Sequence, residues 1–172
     1  WDVTGYTGLE LWNGLSEFKS YLKNKLQGIF HAYFPQFIGH GPYPEVLGKW
    51  DELTQNGKRI VAIGGSDAHA WPRSLGPLKR DIFPYEFHFR SVNTHLFTSE
   101  PLTGDSATDR RLVYEAFENG RCFVGYDLPA STKGFTFKAQ GRERNVIMGE
   151  EIPAKGGVTL QIHLPEEAEC KL

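Results

Sequence analysis

The stretch at residues 59–70, RIVAIGGSDAHA, limits most narrowly what this chain can fold into. Its apolar residues 60–63 lie between charged residues and two glycines, a pattern typical of a strand buried on both faces of a parallel sheet. Such strands belong to α/β folds, in which catalytic and ligand-binding groups collect at the carboxyl ends of the strands. Asp67 and His69 follow this strand directly, so we expect them at that edge of the sheet.

The pair Asp67 and His69 has two interpretations. If the backbone stays extended, the two side chains point to the same side, because alternate residues of a strand do so. A carboxylate beside an imidazole suits zinc, manganese or iron, and either group could act as a base toward a bound water. Aspartate after Gly-Ser is equally common in turns and at helix N-termini, so a purely structural turn is the alternative.

The composition excludes several classes of protein. A chain of 172 residues with 40% hydrophobic and 23% charged residues is typical of one globular domain, or of one domain with an appendage. The net charge of −2 argues against nucleic acid or a membrane as the main partner, and no apolar run is long enough to span a bilayer. Cys122 and Cys170 lack the spacing of a zinc ribbon or a thioredoxin-like centre, and Cys122 is expected to be a buried thiol.

Periodicity predicts helices and strands in alternation up to residue 127. The expected elements are a strand at 7–14, a helix from Ser16 to about residue 30, a helix from Pro44 to Gly57, the strand at 59–63, a strand at 89–97, a helix capped by Ser106 or Thr108, and a strand at 121–127. Later segments are short and alternating, which predicts an antiparallel β appendage. We therefore expect two units, residues 1–127 and 128–172.

Four stretches carry a resemblance to a known family. GLELWNG, KWDELTQNGKRIVAIGGSDAHA, VNTHLF and YEAFENGRCFVGYD, in this order, resemble the carboxyl half of the polymerase and histidinol phosphatase (PHP) domain, especially its carbaryl-hydrolase-like metallohydrolases. The resemblance covers about residues 8–127. It implies an α/β fold, the carboxyl-terminal part of a distorted (β/α)7 barrel, followed by a small antiparallel β appendage.

The resemblance also implies an activity. PHP domains hold two or three divalent ions that activate water for hydrolysis, commonly of phosphate esters. The last metal motif of the family is an aspartate and a histidine separated by one residue, which matches Asp67 and His69. The H-x-H motif and the other ligands of the family have no counterpart here. The resemblance therefore implies either a partial barrel, inactive by itself and completed by a missing amino-terminal segment, or a degenerate relative.

Three further residues are candidates for contact with a substrate or with the metal ligands. His95 lies near the end of a predicted strand at the expected barrel mouth, with a hydrogen-bonded interior histidine as the alternative. Glu10 ends its own strand near the same mouth. Arg80 follows the Asp67 turn and could attract an anionic ester, although such charges are usually only solvated. His31 and His40 are interpreted as loop residues.

Two main hypotheses follow. The first is a fragment of a metal-dependent hydrolase, a PHP-type phosphoesterase that acts on a small-molecule ester. The second is a catalytically inactive binding or structural module derived from a PHP domain, and an amidohydrolase-like enzyme is a third idea. Because truncated sheet edges attract other strands, we also expect self-association or pairing with a missing amino-terminal half. Any signal peptide would precede residue 1, and a cytoplasmic location is favoured.

Overall fold

The computed structural model describes residues 2–75 and 77–170, without the side chains at positions 75, 78 and 80. It shows a mixed α/β arrangement of small sheets, and within the described residues these sheets do not close into a barrel. The elements in chain order are β1 (Gly8–Asn13), α1 (Gly14–Tyr21), α2 (Lys25–Tyr33), a 3-10 turn (Pro35–Phe37), α3 (Pro44–Gln55), β2 (Val61–Gly65), β3 (Trp71–Leu75), β4 (Leu78–Ile82), α4 (Tyr85–Phe89), β5 (Val92–Leu96), α5 (Ser106–Glu118), β6 (Cys122–Tyr126), β7 (Thr136–Gln140), β8 (Asn145–Ile147) and β9 (Thr159–His163).

The strands pair in four small sheets. β1 and β2 are parallel, whereas β3 with β4 and β5 with β6 are antiparallel. The last three strands form an antiparallel sheet in the order β8-β7-β9, so the antiparallel strands predicted after residue 128 are present. The hairpin of β3 and β4 falls in a segment whose proline-rich, aperiodic sequence predicts no element.

One face of the β5–β6 pair packs against β2. The Thr94 hydroxyl donates a hydrogen bond to the Gly64 carbonyl oxygen at 2.7 Å and accepts one from the Gly64 amide at 2.9 Å. Cys122 Sγ lies 3.6 Å from the carbonyl oxygen of Ala62, and Val124 lies against Gly64. β6 therefore runs in the same direction as β1 and β2, so these three strands end at a common edge. β5 runs in the opposite direction, which an all-parallel arrangement would not allow.

The structure corrects three local predictions. The single helix expected from Ser16 is two helices, because Asn24 accepts a hydrogen bond from the Leu26 amide and starts α2. Asn13, not Ser16, caps α1, and Asp105, rather than Ser106 or Thr108, caps α5. Each helix starts where a nearby side chain accepts a hydrogen bond from a backbone amide. Helical periodicity does not reveal which side chain accepts it.

Burial also differs from expectation along β2. All five residues of this strand are half-buried, so the prediction of a strand buried on both faces is wrong in this chain. Cys122, expected to be buried, is half-buried and free, and burial raises the pKa of its thiol. The partial exposure follows from sheets of only two or three strands, which leave part of each face uncovered.

Two clusters of buried side chains hold the elements around the common strand edge. One joins α1 to the segment after β4 and contains Leu15, Phe18, Ile38 and Phe83. The other fixes α3 under the β1–β2 pair and contains Leu9, Leu53 and Ile60. Trp50 adds a hydrogen bond from its indole nitrogen to the Ile60 carbonyl oxygen at 2.8 Å. The parallel strands β1 and β2 are thus held by α3 on one side, and the edge at their carboxyl ends stays accessible.

The two glycines that end β2 should respond differently to substitution. A Cβ at Gly64 would lie 2.5 Å from Val124 Cγ1 and 3.1 Å from the Trp12 carbonyl oxygen, whereas a Cβ at Gly65 would meet nothing closer than 4.0 Å. We expect Gly64→Ala to lower the free energy of unfolding by about 1–3 kcal/mol. Gly65→Ala is the matched control and should change it by less than about 0.5 kcal/mol. Urea denaturation measures both, and equal effects would contradict the close approach of β2 and β6.

Candidate functional site

The turn after β2 brings Asp67 and His69 together. Asp67 has a φ of 52°, in the left-handed region, so the backbone is not extended as the simple alternation argument assumed. The two side chains nevertheless meet, because His69 Nδ1 lies 3.4 Å from Asp67 Oδ1. Both are well exposed, with 36% of the Asp67 side chain and 53% of the His69 side chain accessible. They can therefore reach a ligand from solvent.

A hydrogen bond to the backbone sets the tautomer of His69. Its Nδ1 lies 2.7 Å from the carbonyl oxygen of Asp67. Since a carbonyl oxygen can only accept, Nδ1 carries the hydrogen and the lone pair of the neutral ring is on Nε2. Metal-binding histidines commonly donate their other ring nitrogen to such an oxygen, which fixes the orientation of the ring. The turn thus presents an imidazole nitrogen prepared to accept a proton or a metal ion.

Glu10 lies in the middle of β1, opposite Ile63 of β2. Its Oε1 is the atom nearest to the open space above Gly65, two residues before Asp67. Asn13 donates its side-chain amide to both carboxylate oxygens of Glu10, at 3.1 and 3.2 Å. These hydrogen bonds hold the carboxylate in one orientation. The parallel pairing of β1 with β2 therefore brings a third polar candidate to the same strand edge.

His88 is a buried histidine near the turn that the sequence does not single out. It lies in the short helix α4, is 3% exposed, and neither ring nitrogen has a partner within hydrogen-bond geometry. Burial is the main cause that lowers its pKa, and the backbone of His69 and the charge of Asp67 act in the opposite direction. Its sequence neighbours are aromatic, so the pattern FHF suggests only packing.

The side chains at the turn are of types that bind divalent metals, but there are too few of them to complete a metal site. A carboxylate and an imidazole suit zinc, manganese or iron. A zinc centre that performs catalysis ordinarily has three protein ligands and a water. In the part of the chain that the structure describes, no group of three or more His, Cys, Asp or Glu is arranged to hold an ion. Asp67 and His69 alone are therefore too few to form such a centre.

His95 belongs to a second polar cluster. Its Nε2 lies 2.8 Å from Asp127 Oδ2 and 3.0 Å from Thr132 Oγ1. Asp127 also accepts hydrogen bonds from Asn93 Nδ2 at 2.9 Å, from the Thr132 amide at 2.8 Å and from the Thr132 hydroxyl at 2.6 Å. The His95 ring stacks on Phe123 with centroids 4.6 Å apart. Because the carboxylate can only accept, the hydrogen of His95 is on Nε2.

This cluster is not a nucleophilic triad. In such a triad the carboxylate and the hydroxyl bind opposite nitrogens of the imidazole, whereas here Asp127 and Thr132 both meet Nε2 of His95. The Thr132 hydroxyl donates to Asp127, so its proton is not directed at the histidine. The arrangement instead orients the ring and ties the start of the 128–132 segment to β5.

The cluster also faces away from the Asp67 turn. Thr94 points toward β2, and successive strand residues point to opposite faces, so His95 lies on the other face of the β5–β6 pair. The structure therefore brings Glu10 close to Asp67 but does not bring His95 there. Arg80, whose side chain lies outside the described residues, stays a prediction.

The residues that complete the second cluster have no local sequence signal. Asp127 is 32 positions from His95, and Thr132 is 37 positions from it.

The two histidines that were predicted to lie in a loop have structural contacts. His31 stacks on Tyr21 with ring centroids 4.0 Å apart, and the His40 amide donates a hydrogen bond to the buried Glu17 carboxylate at 2.7 Å. His40 lies outside the helices and strands, as predicted, but the loop prediction is wrong for His31, because α2 continues to Tyr33.

Comparisons of this chain with protein-family models, with curated proteins and with solved structures find no match. No helix among residues 2–75 and 77–170 has the length and apolar character needed to cross a bilayer.

Acid should selectively weaken the second cluster. Although burial raises the pKa of Asp127, hydrogen bonds from Thr132, Asn93 and His95 outweigh it and lower this pKa from 3.8 to about 2. A carboxyl pKa depressed by folding stabilises the folded state above the unfolded pKa, and this contribution is lost as the pH falls toward the folded pKa. We expect Asp127→Asn to cost on the order of 2 kcal/mol at pH 6.

The difference in unfolding free energy between wild type and Asp127→Asn should shrink between about pH 4 and pH 2. Guanidinium denaturation at several pH values measures it. Asp51→Asn is the control, because Asp51 lies exposed on α3, away from this cluster. A cost of Asp127→Asn that stays constant across this range would contradict the role of the charged carboxylate.

Proposed function

We propose that this chain is the carboxyl-terminal part of a PHP-type (β/α)7 barrel and that it belongs to a metal-dependent hydrolase. In this proposal Asp67 and His69 are ligands of a zinc, manganese or iron ion. The observation that carries it is the turn at the carboxyl end of β2, where the Asp67 carboxylate and the Nε2 lone pair of His69 are both open to solvent, while the 3.4 Å contact between the two side chains is made by the protonated Nδ1. The order of the sequence motifs supports the choice of family.

The common direction of three strands supports the proposal that this chain is part of a barrel. β1, β2 and β6 run the same way, and β1 and β2 are linked through α1, α2 and α3. In barrels built from such units, catalytic groups lie at the carboxyl ends of the strands. The turn with Asp67 and His69 occupies this position, and the Glu10 carboxylate extends to the same edge. The antiparallel β5 departs from such a barrel, in which all strands are parallel.

The roles proposed for the residues follow from their contacts. Asp67 supplies a charged oxygen, and His69 supplies Nε2 with its ring held by the bond to the Asp67 carbonyl oxygen. Asn13 keeps Glu10 in one orientation, as a carboxylate that can accept a proton or bind a water. When bound, the metal lowers the pKa of a water and stabilises negative charge on an ester, commonly a phosphate ester. At least one further ligand must come from outside the Asp67–His69 pair.

A binding or structural module derived from the same barrel is the second candidate. It is favoured by the fact that only two ligating side chains converge at the described turn. In that case the Asp67–His69 contact would serve the turn alone. The left-handed φ of Asp67 is compatible with this role, because aspartate and asparagine tolerate that conformation better than most residues.

Substitution at position 67 separates the two candidates. Asparagine tolerates the left-handed backbone but removes the charge, so Asp67→Asn should leave the fold intact. In a form of the protein extended toward its amino terminus, we expect chelator-sensitive hydrolysis of a generic phosphodiester. Asp67→Asn and His69→Gln should lower kcat/KM by about 100-fold or more, since a lost ligand disturbs the metal site at least as much as a lost neighbour of a ligand.

His31→Gln is the matched control, because His31 lies in α2 and stacks on Tyr21, away from the turn. It should hydrolyse the phosphodiester at the wild-type rate. Hydrolysis that is unaffected by Asp67→Asn and by the chelator would overturn the assignment of the site. A folded, extended protein with no hydrolytic activity in any metal would favour the binding module.

A further inference from the structure

Helix α2 and the 3-10 turn after it expose an apolar stripe. Its residues follow the spacing i, i+3, i+4, i+7, i+8 and i+11, which normally marks the face of a helix that packs into a core. Here these side chains are 43% to 78% exposed. We call this set the aromatic stripe; it comprises Leu26, Ile29, Phe30, Tyr33, Phe34 and Phe37.

The aromatic stripe is a preassembled surface. Phe30 contacts Phe34 in a tilted arrangement with centroids 5.1 Å apart and stacks on Phe37 at 5.8 Å. The opposite side of α2 faces the body of the protein, where Gly28 is buried against Leu22. The helix is therefore held on one side and presents the stripe on the other. A contiguous exposed apolar patch of this kind marks an interaction site.

The charge around the stripe indicates what it contacts. Residues 18–44 contain three lysines and no aspartate or glutamate, although the whole chain has a net charge of −2. Lys19, Lys23 and Lys25 are all exposed and lie at or just before the start of α2. A second copy placed on the stripe would bring six lysines to one interface without a carboxylate from this segment. An anionic surface would complement the same three charges.

We propose that the aromatic stripe with Lys19, Lys23 and Lys25 docks on the surface of a bilayer that contains anionic phospholipids. A short helix with an apolar face and neighbouring lysines lies in the plane of the interface, with its apolar side chains among the upper acyl chains. Lysines near the surface add electrostatic attraction to anionic headgroups. The net charge of the chain argues against such a partner, but the local charge of residues 18–44 determines this contact. The proposal does not depend on the proposed metal ligands Asp67 and His69, but it requires that the stripe stay exposed in the form extended toward the amino terminus, which should bind the same bilayer.

Vesicle co-sedimentation tests the proposal. The probes are vesicles of phosphatidylcholine alone and of an equal mixture of phosphatidylcholine and phosphatidylserine. We expect the protein to sediment with the mixed vesicles, with binding weakened about tenfold or more by the double variant Lys23→Gln/Lys25→Gln and by high salt. The double variant Phe30→Ser/Phe34→Ser should abolish binding. Circular dichroism of each variant confirms that it is folded.

The matched control is a second exposed aromatic pair. Tyr85 and Phe89 of α4 stack at 5.8 Å and are 53% and 67% exposed. Tyr85→Ser/Phe89→Ser should bind the mixed vesicles like wild type. Failure to bind these vesicles, or equal binding to phosphatidylcholine alone, would overturn the proposal. So would concentration-dependent dimers that are lost in Phe30→Ser/Phe34→Ser, because a second copy would then cover the stripe.

Discussion

The close contact of β2 with its neighbours is the constraint on which the rest of this structure depends. β2 pairs in parallel with β1 through backbone hydrogen bonds and meets the β5–β6 pair through Gly64, whose amide and carbonyl both bond the Thr94 hydroxyl. Only a residue without a side chain allows Val124 and the Trp12 carbonyl to approach so closely. This packing sets the edge at which β1, β2 and β6 all end.

The arrangement of the strands at that edge determines where the polar side chains of both sites lie. Because β2 ends beside β1, the turn with Asp67 and His69 lies next to Glu10. Because Thr94 faces β2, His95 must face the opposite way and instead binds Asp127. One strand arrangement thus produces two separate polar sites, a solvent-accessible turn with a carboxylate and an imidazole and a hydrogen-bonded cluster that fastens the segment after β6.

Sequence patterns predict the helices and strands that are determined by residues close together in the chain. Pro44 opens α3, the apolar residues of β2 and the glycines after it are recognisable, and the alternating tail forms an antiparallel sheet. The break at Asn24 and the cap at Asp105 are missed, since several residues nearby could cap equally well. The direction of β5 and the partner of His95 depend on contacts 30 or more positions apart, which a pattern in one sequence does not contain.

Metal analysis of the chain, alone and in a form extended toward the amino terminus, tests the central claim most directly. Plasma mass spectrometry measures zinc, manganese and iron per protein molecule, independently of any substrate. We expect a stoichiometric ion in the extended form that is lost with Asp67→Asn, and little metal in the chain alone, because two candidate ligands are too few to hold an ion. Absence of metal from both forms would contradict it and would leave the Asp67–His69 contact as a structural turn.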